Sequence, residues 1–339
     1  MRREEKERNK NRNNIAGTVL GNVRTANVTF DMDKFNTPRG HGFAAEMAND
    51  LHDRLTGHNA KIVGNDNAKN GADRLVDGVY IQSKYCKTGG KCIQECFEDG
   101  KFRYYNKDGT PMQIEVPSDK YKDAVQAMEE RIRRGQIKGI TDPAKAKEIV
   151  RKGNYAYEQA KNIARAGTID SIKFDATRGM IIGAWAGGIS GAISFAQALW
   201  NGEDFDVALR SAGWSFLKVG GTSAAVTLCS SQLSRTAMNS FLIGGTDAIA
   251  KVMGPKACSA LVHLVRGGEV YGAAAMKSAS KLLRGNVIAA VISTAVLSTV
   301  DVINIFSGRI SGGQLFKNVT TTAASVAGGT GGWIGGAAA

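Results

Sequence analysis

Residues 179–202 carry no charged side chain, and a helix made from that run is long enough to cross a bilayer core of ~30 Å. Gly179, Gly183, Gly187 and Gly191 fall at every fourth position within it. That spacing lays small residues along one helix face, so a second helix can approach closely. In water each of those glycines weakens a helix by ~1 kcal/mol relative to alanine, so the pattern favours helix packing in an apolar surrounding. Residues 286–308 repeat this character with Asp301 as their one charge; residues 318–339 have no charge and place Gly328, Gly332 and Gly336 at the same interval. Residues 219–234 are shorter and richer in Ser and Thr, and read either as a marginal span or as a buried helix.

Before residue 179 the chain is polar and punctuated by turn signals. The expected organisation is a charged, Asn-rich tail over residues 1–14, an α/β domain over 15–178, and an all-α, Gly/Ala-rich, membrane-associated region over 179–339. Within the last region, "WNGEDFDVALRSAGWSFLKVGGT" and "FSGRISGGQLFKNVTTTAASVAGGT" each follow an apolar run and look alike, as a duplicated helical hairpin would. A soluble Gly/Ala-rich bundle is the other reading, because the mean hydropathy is only −0.20. Helices with this glycine-zipper spacing resemble those of bacterial toxins and effectors that insert into membranes. The resemblance implies lipid as a partner and homo-oligomers formed through the zipper faces.

Lys plus Arg number 44 against 31 Asp plus Glu, a formal charge of +13, which favours polyanions or an anionic membrane face as partners. Arg165, Lys173 and Arg178 precede the first apolar run, while Glu203, Asp204 and Asp206 follow it; the positive-inside tendency then leaves the N-terminal domain cytoplasmic. The opening "MRREEKERNKNRNN" is followed by no apolar stretch with a small-residue cleavage site, so no secretory signal is expected. Of five cysteines, Cys86, Cys92 and Cys96 crowd together while Cys229 and Cys258 stand alone. Reduced thiols are expected there, because a zinc finger would need a fourth ligand at short spacing.

Phe43, Met47, Leu51 and Leu55 recur at intervals of four and predict an amphipathic helix over residues 41–56 with that face inward. "AKIVG" predicts a strand, residues 74–85 a hairpin, and "MQIEV" a strand stopped by Pro117. Residues 119–134 predict a helix facing inward with Tyr121, Val125, Met128 and Ile132, and residues 143–166 a basic helix. The fold expected is a mixed sheet flanked by helices.

The hairpin is where chemistry gathers. Asp77-Gly78 between two β-favouring runs signals a two-residue type I′ turn, which sets Val76 opposite Val79, Leu75 opposite Tyr80, Arg74 opposite Ile81 and Asp73 opposite Gln82. Side chains directly opposite, and those two apart along a strand, share a face, so Asp73, Gln82 and Lys84 converge. A carboxylate and an amide oxygen can hold a hard cation such as Mg²⁺, and a nearby lysine can orient, or help deprotonate, a water for attack on a phosphodiester.

An Asp on one strand followed by Gln, any residue, then Lys on the next resembles the PD-(D/E)XK nuclease superfamily, in particular its restriction-endonuclease-like Mrr branch with Gln in the acidic position. The resemblance covers residues 40–134. It implies an αβββαβ core, Mg²⁺ or Mn²⁺ as cofactor, and hydrolysis of DNA, with Asp73 and Gln82 as metal ligands, Lys84 acting on the water, and Glu46 from the preceding helix as an auxiliary ligand. Asp66 and Asp77 are alternative carboxylates for the Asp73 role.

Glu115 at a strand end either faces the same site or pairs with a nearby Lys. His41, His52 and His58 lack the spacing of a helical zinc site and are expected at the surface or as caps. Lys145, Lys147, Arg151, Lys152, Lys161 and Arg165 would track a phosphate backbone or form a solvated face. Three functions follow: a membrane-associated nuclease of phage defence or of a toxin, a membrane-active protein with a non-catalytic N-terminal domain, or a nucleic-acid-binding module. A hairpin on which Asp73 and Lys84 merely pair is the plain structural alternative.

Overall fold

A computed structural model describes residues 30–64, 69–183 and 221–298. The tail over 1–14, Asp66, Gly187, Gly191, the acidic residues 203–206, the run over 318–339 and both look-alike segments lie outside the described residues. Lys34–Asp170 form one compact unit, and the described residues 30–33, 171–183 and 221–298 belong to a second.

The first unit begins with helix α1 (Gly40–Leu55) and continues into strands β1 (Ala60–Ile62), β2 (Arg74–Val76) and β3 (Val79–Ser83). These three form an antiparallel meander, which short reversals can close. Helix α2 (Gly89–Gln94) and the small hairpin β4 (Phe97–Glu98) and β5 (Lys101–Phe102) precede β6 (Gln113–Val116). Strand β6 lies parallel to β3, as parallel strands require a long crossover. Helices α3 (Tyr121–Arg133) and α4 (Ala146–Ile149) lead to β7 (Val150–Lys152), parallel to β6, and α5 (Tyr157–Ala164) closes the unit. The result is a mixed five-stranded sheet in the order β1-β2-β3-β6-β7 with helices on both faces.

Alternation along the strands assigns the two faces. Ile114, Val116 and Val150 pack against Ala124, Val125, Met128 and Ile132 of α3, together with Cys92, Ile93 and Cys96 from the α2 segment. The opposite face meets α1, whose buried stripe is Ala44, Ala45, Ala48 and Leu51 joined by Asn49 and Asp53. The expected α1 face is therefore corrected: Phe43 and Met47 are half-buried and Leu55 is 55% exposed. Small residues bring α1 close to the sheet, and its polar positions answer charges on the strands. The basic helix expected over 143–166 is corrected as well. β-Branched Val150 opens β7 beside β6, and helix resumes only at Tyr157.

In the second unit, helix α6 (Ile169–Gly183) contributes its residues from Ser171 onward, with α7 (Gly221–Leu233), α8 (Ala237–Arg266) and α9 (Gly272–Ser298). Ala250, Cys258 and Val262 of α8 pack on Ala275, Ala279 and Leu282 of α9; small side chains allow that close approach. Residues 228–233 of α7 are buried, as the buried-helix reading of this stretch expects. Asp175 and Arg235 form a fully buried pair at 2.6 Å, with Gln232 also donating to Asp175 at 2.6 Å. Phe30–Asp33 lie against the helices: Asp31 pairs with Arg178 at 3.2 Å and Arg266 at 3.0 Å, and Asp33 with Lys281 at 3.0 Å.

By length and composition, Asn239–Arg266 is the one helix among the described residues able to cross a membrane. It was not among the runs expected from sequence, because Asp247, Lys251 and Lys256 interrupt it. Gly254, at φ 76° and followed by Pro255, breaks it. The part before the break rises only ~22 Å at 1.5 Å per residue, short of the ~30 Å core. Val252 is 90% exposed and Phe241 53%.

Candidate functional site

Asp77 at φ 49° and Gly78 at φ 85° form the tight reversal that the sequence announces. The pairs Val76–Val79, Leu75–Tyr80 and Arg74–Ile81 follow in the expected register. One step further, the Asp73 N–H donates to the Ile81 carbonyl at 2.9 Å. Asp73 Oδ2 accepts hydrogen bonds from the Gln82 side-chain amide and, at 2.9 Å, from the Ser83 N–H. Turn geometry therefore delivers Asp73 and Gln82 to one another. Asp77 is turned elsewhere: its carboxylate takes the Asn59 N–H at 2.9 Å and lies 2.7 Å from His58 Nδ1, tying the turn to β1.

Lys84 follows on the Gln82 side of the sheet, with its Nζ 4.9 Å from the centroid of the Tyr104 ring. Burial opposes its charge, but the contact with Tyr104 and the charge of Asp73 outweigh it, and the ammonium is held above its ordinary pKa. A lysine so held stays protonated at neutral pH. It suits orienting water or neutralising a phosphate oxygen rather than removing a proton.

Glu46 projects from α1 and is half-buried. Burial first, and the Asp73 carboxylate second, push its carboxyl up to about 8. Burial likewise raises Asp73, against the opposing Ser83 and Gln82 hydrogen bonds and Lys84 charge. Two carboxyls that interact in this way titrate as a pair, and the charges of Lys34 and Lys84 favour their ionised forms. Among the described residues no three His, Cys, Asp or Glu side chains are grouped to hold a metal ion. The oxygen donors on hand are the two carboxylates and the Gln82 amide. That is a hard-oxygen set of the kind Mg²⁺ accepts while keeping several waters.

Glu115 belongs to the other face. Arg74, fully buried, donates to both its carboxylate oxygens at 2.6 Å and also pairs with Asp53. Arg151 approaches Asp53 and Glu115 at 3.4 Å each, and Ser83 Oγ lies 3.4 Å from Glu115. Two acids meet two guanidiniums, so this network is electrically closed. The partner of Glu115 is thus arginine, from positions 74 and 151, rather than lysine.

The remaining candidates serve the scaffold. His41 Nε2 lies 3.0 Å from the Tyr85 carbonyl, His52 stacks edge-on to Tyr155, and His58 meets Asp77. Lys145 pairs with Glu148 at 2.8 Å and Lys161 with Glu158 at 2.9 Å. All five cysteines are free.

Residues 23–133, which include Glu46, Asp73, Gln82 and Lys84, match the family described as the YeeR C-terminal domain. Over 101 residues, 29% of this chain, the sequence is 48% identical to the inner membrane protein YeeR of Escherichia coli (strain K12). The chain spans 20% of that relative's length. No solved structure matches.

Proposed function

We propose that this is a membrane-associated protein whose helical unit engages a lipid bilayer, as an anchor or as an oligomer that perturbs it. The observation that carries this reading is the 48% identity to a protein named for the inner membrane. The apolar composition of Asn239–Arg266, two helical pieces on either side of the Gly254 break, and the glycine spacing from Gly179 support it. The basic residues before residue 179 favour a cytoplasmic α/β unit. Flotation tests it: the full chain should rise with anionic phospholipid vesicles through a density gradient and resist high-salt extraction. Recovery at the bottom of the gradient rejects the reading, and dye release from the vesicles separates permeabilisation from anchoring.

A second reading, favoured by the meeting of Asp73 with Gln82 beside Glu46 and Lys84, is that the α/β unit hydrolyses DNA phosphodiesters. Glu46, Asp73 and Gln82 would hold Mg²⁺ or Mn²⁺. That ion, when bound, supplies Lewis-acid activation of water and phosphate. Lys84, protonated at neutral pH, binds a non-bridging phosphate oxygen and stabilises charge developing on it. The Ser83 N–H holds the Asp73 carboxylate in place. With Mg²⁺, the full chain should nick supercoiled plasmid, and Lys84→Ala should lower the rate ~10²-fold or more. Equal rates for the two proteins, or no nicking with either metal, leave the α/β unit as a binding module.

A further inference from the structure

Three thiols surround the end of β3, and neither reading of the function uses them. Cys86 lies two residues beyond Lys84, and Cys92 and Cys96 stand on and just after α2. The Cys86 N–H donates to Cys92 Sγ at 3.3 Å, and Cys92 Sγ lies 3.8 Å from the Cys86 carbonyl. Cys92 Sγ thus rests against the backbone of Cys86, whose own sulfur is one Cβ away, and side-chain rotation can bring the pair to the ~2.05 Å of a disulfide.

We propose that Cys86 and Cys92 are a peroxide-responsive dithiol, in which hydrogen peroxide oxidises Cys86 and Cys92 converts the product to an intramolecular disulfide. The backbone on both sides is fixed in advance. The Lys84 N–H is bonded to the Glu115 carbonyl at 2.8 Å, the Tyr85 carbonyl meets His41 at 3.0 Å, and Asn49 donates to the Tyr85 hydroxyl at 2.8 Å. Across from them, α2 presses on α3 so closely that a Cβ at Gly89 would lie 2.4 Å from the Ala124 nitrogen. Thr88 caps α2 by accepting the Lys91 N–H at 3.2 Å. Neither cysteine can swing away.

Access and acidity divide the roles. Cys86 is partly exposed and Cys92 buried, so peroxide meets Cys86 first. The hydrogen bond from Cys92 draws the Cys86 thiol down to about 7 against the effect of burial, with Lys84 and Lys91 assisting. Much of it is then thiolate, the nucleophilic form, at neutral pH. Cys96 is a bystander: burial pushes it up to about 12, and its Sγ lies 3.3 Å from the Cys92 carbonyl.

The Cys86 thiolate attacks one peroxide oxygen, the O–O bond breaks, and hydroxide departs and takes a proton to become water. The sulfur is oxidised to sulfenic acid and the peroxide is reduced. Cys92 then loses its proton and attacks the Cys86 sulfur. The S–S bond forms, the S–O bond breaks, and the leaving hydroxide takes up the released proton as a second water.

The full chain, reduced and then exposed to hydrogen peroxide near stoichiometry, is alkylated and digested with trypsin, which cuts after Lys87 and Lys91 and separates the two cysteines. The expected product is a linked pair of peptides bearing Cys86 and Cys92, lighter by two hydrogens and restored by dithiothreitol. Cys92→Ser should accumulate dimedone-reactive Cys86, and Cys96→Ser should leave the link intact. In Cys86→Ser, Cys92 should stay alkylatable after peroxide, which keeps the test open if Cys92→Ser misfolds. Unmodified Cys86, a Cys86–Cys96 link, or equal oxidation of all five cysteines would overturn the proposal. None of these readouts depends on nuclease activity or on lipid.

Discussion

Asp73 and Arg74 are neighbours in the chain and leave the sheet on opposite faces, where charge is handled in opposite ways. On the α1 face, Arg74 sits between Asp53 and Glu115, and Arg151 supplies a second cation. Every charge there has a counter-charge, all of it from this chain. At Asp73 the acid that acts on it is Glu46, with Lys84 and Lys34 as opposing cations, and Lys84 also lies over the Tyr104 ring. A closed network fixes register and the seat of a helix. A like-charged pair is stable by holding protons or by drawing on cations around it, here Lys34 and Lys84 or one taken from solution. The difference separates residues that build the unit from those on which the proposed chemistry rests.

The largest expected effect lies on the closed face. Arg74→Met leaves Asp53 and Glu115 buried without their main cation, and should lower the opening free energy of β2 and β3 by ~3–5 kcal/mol, read from amide hydrogen exchange. A change below ~1 kcal/mol would show that the network is not the keystone of this face.

Next comes the pH response of the open side. Glu46 titrates at about 8 in the folded chain against an ordinary 4.5, so the native state keeps a proton that the unfolded state releases. Its contribution is therefore full below pH 4.5 and drains away as pH rises to about 8. Melting temperatures of Glu46→Gln should be flatter than wild type across that window, and millimolar Mg²⁺ should raise the wild-type melting temperature more at pH 8 than at pH 5. Parallel curves for the two proteins would dissolve the contrast.

A smaller change is expected from Asp73→Asn. With one charge of the pair removed, the Glu46 pKa should move part of the way toward ~4.3, burial holding back the rest; a carboxyl-detected NMR titration reads it. Smallest is Asp77→Ala. Positive φ at a residue with a Cβ, and the lost bonds to His58 and Asn59, should weaken the hairpin by ~1 kcal/mol and leave the Asp73–Gln82 contact in place.

Local chemistry made the hairpin legible: Asp77-Gly78 dictates the turn, the turn dictates the register, and the register joins Asp73 to Gln82. The Arg74 network was not legible, because Asp53 and Glu115 lie 21 and 41 residues from Arg74 and buried charges look in sequence like solvated ones. The basic stretch over 143–166 hid a strand for a related reason: three residues of β7 are too few to show a period of two. In the helical unit, Asn239–Arg266 is not a charge-free run, yet its charges are spread thinly enough to keep its mean hydropathy at 1.2.

The sheet also carries a timetable. Its meander closes at Ser83 through contacts between near neighbours in sequence, whereas β6 and β7 join by long crossovers. Near-neighbour contacts form sooner than distant ones, so during synthesis the Asp73–Gln82 half of the site can assemble while Glu115 is still inside the ribosome. Arg74 must wait for that carboxylate. Pulse-labelled exchange on refolding chains should find the β2–β3 amides protected before those of β7, and the reverse order would refute this sequence of events.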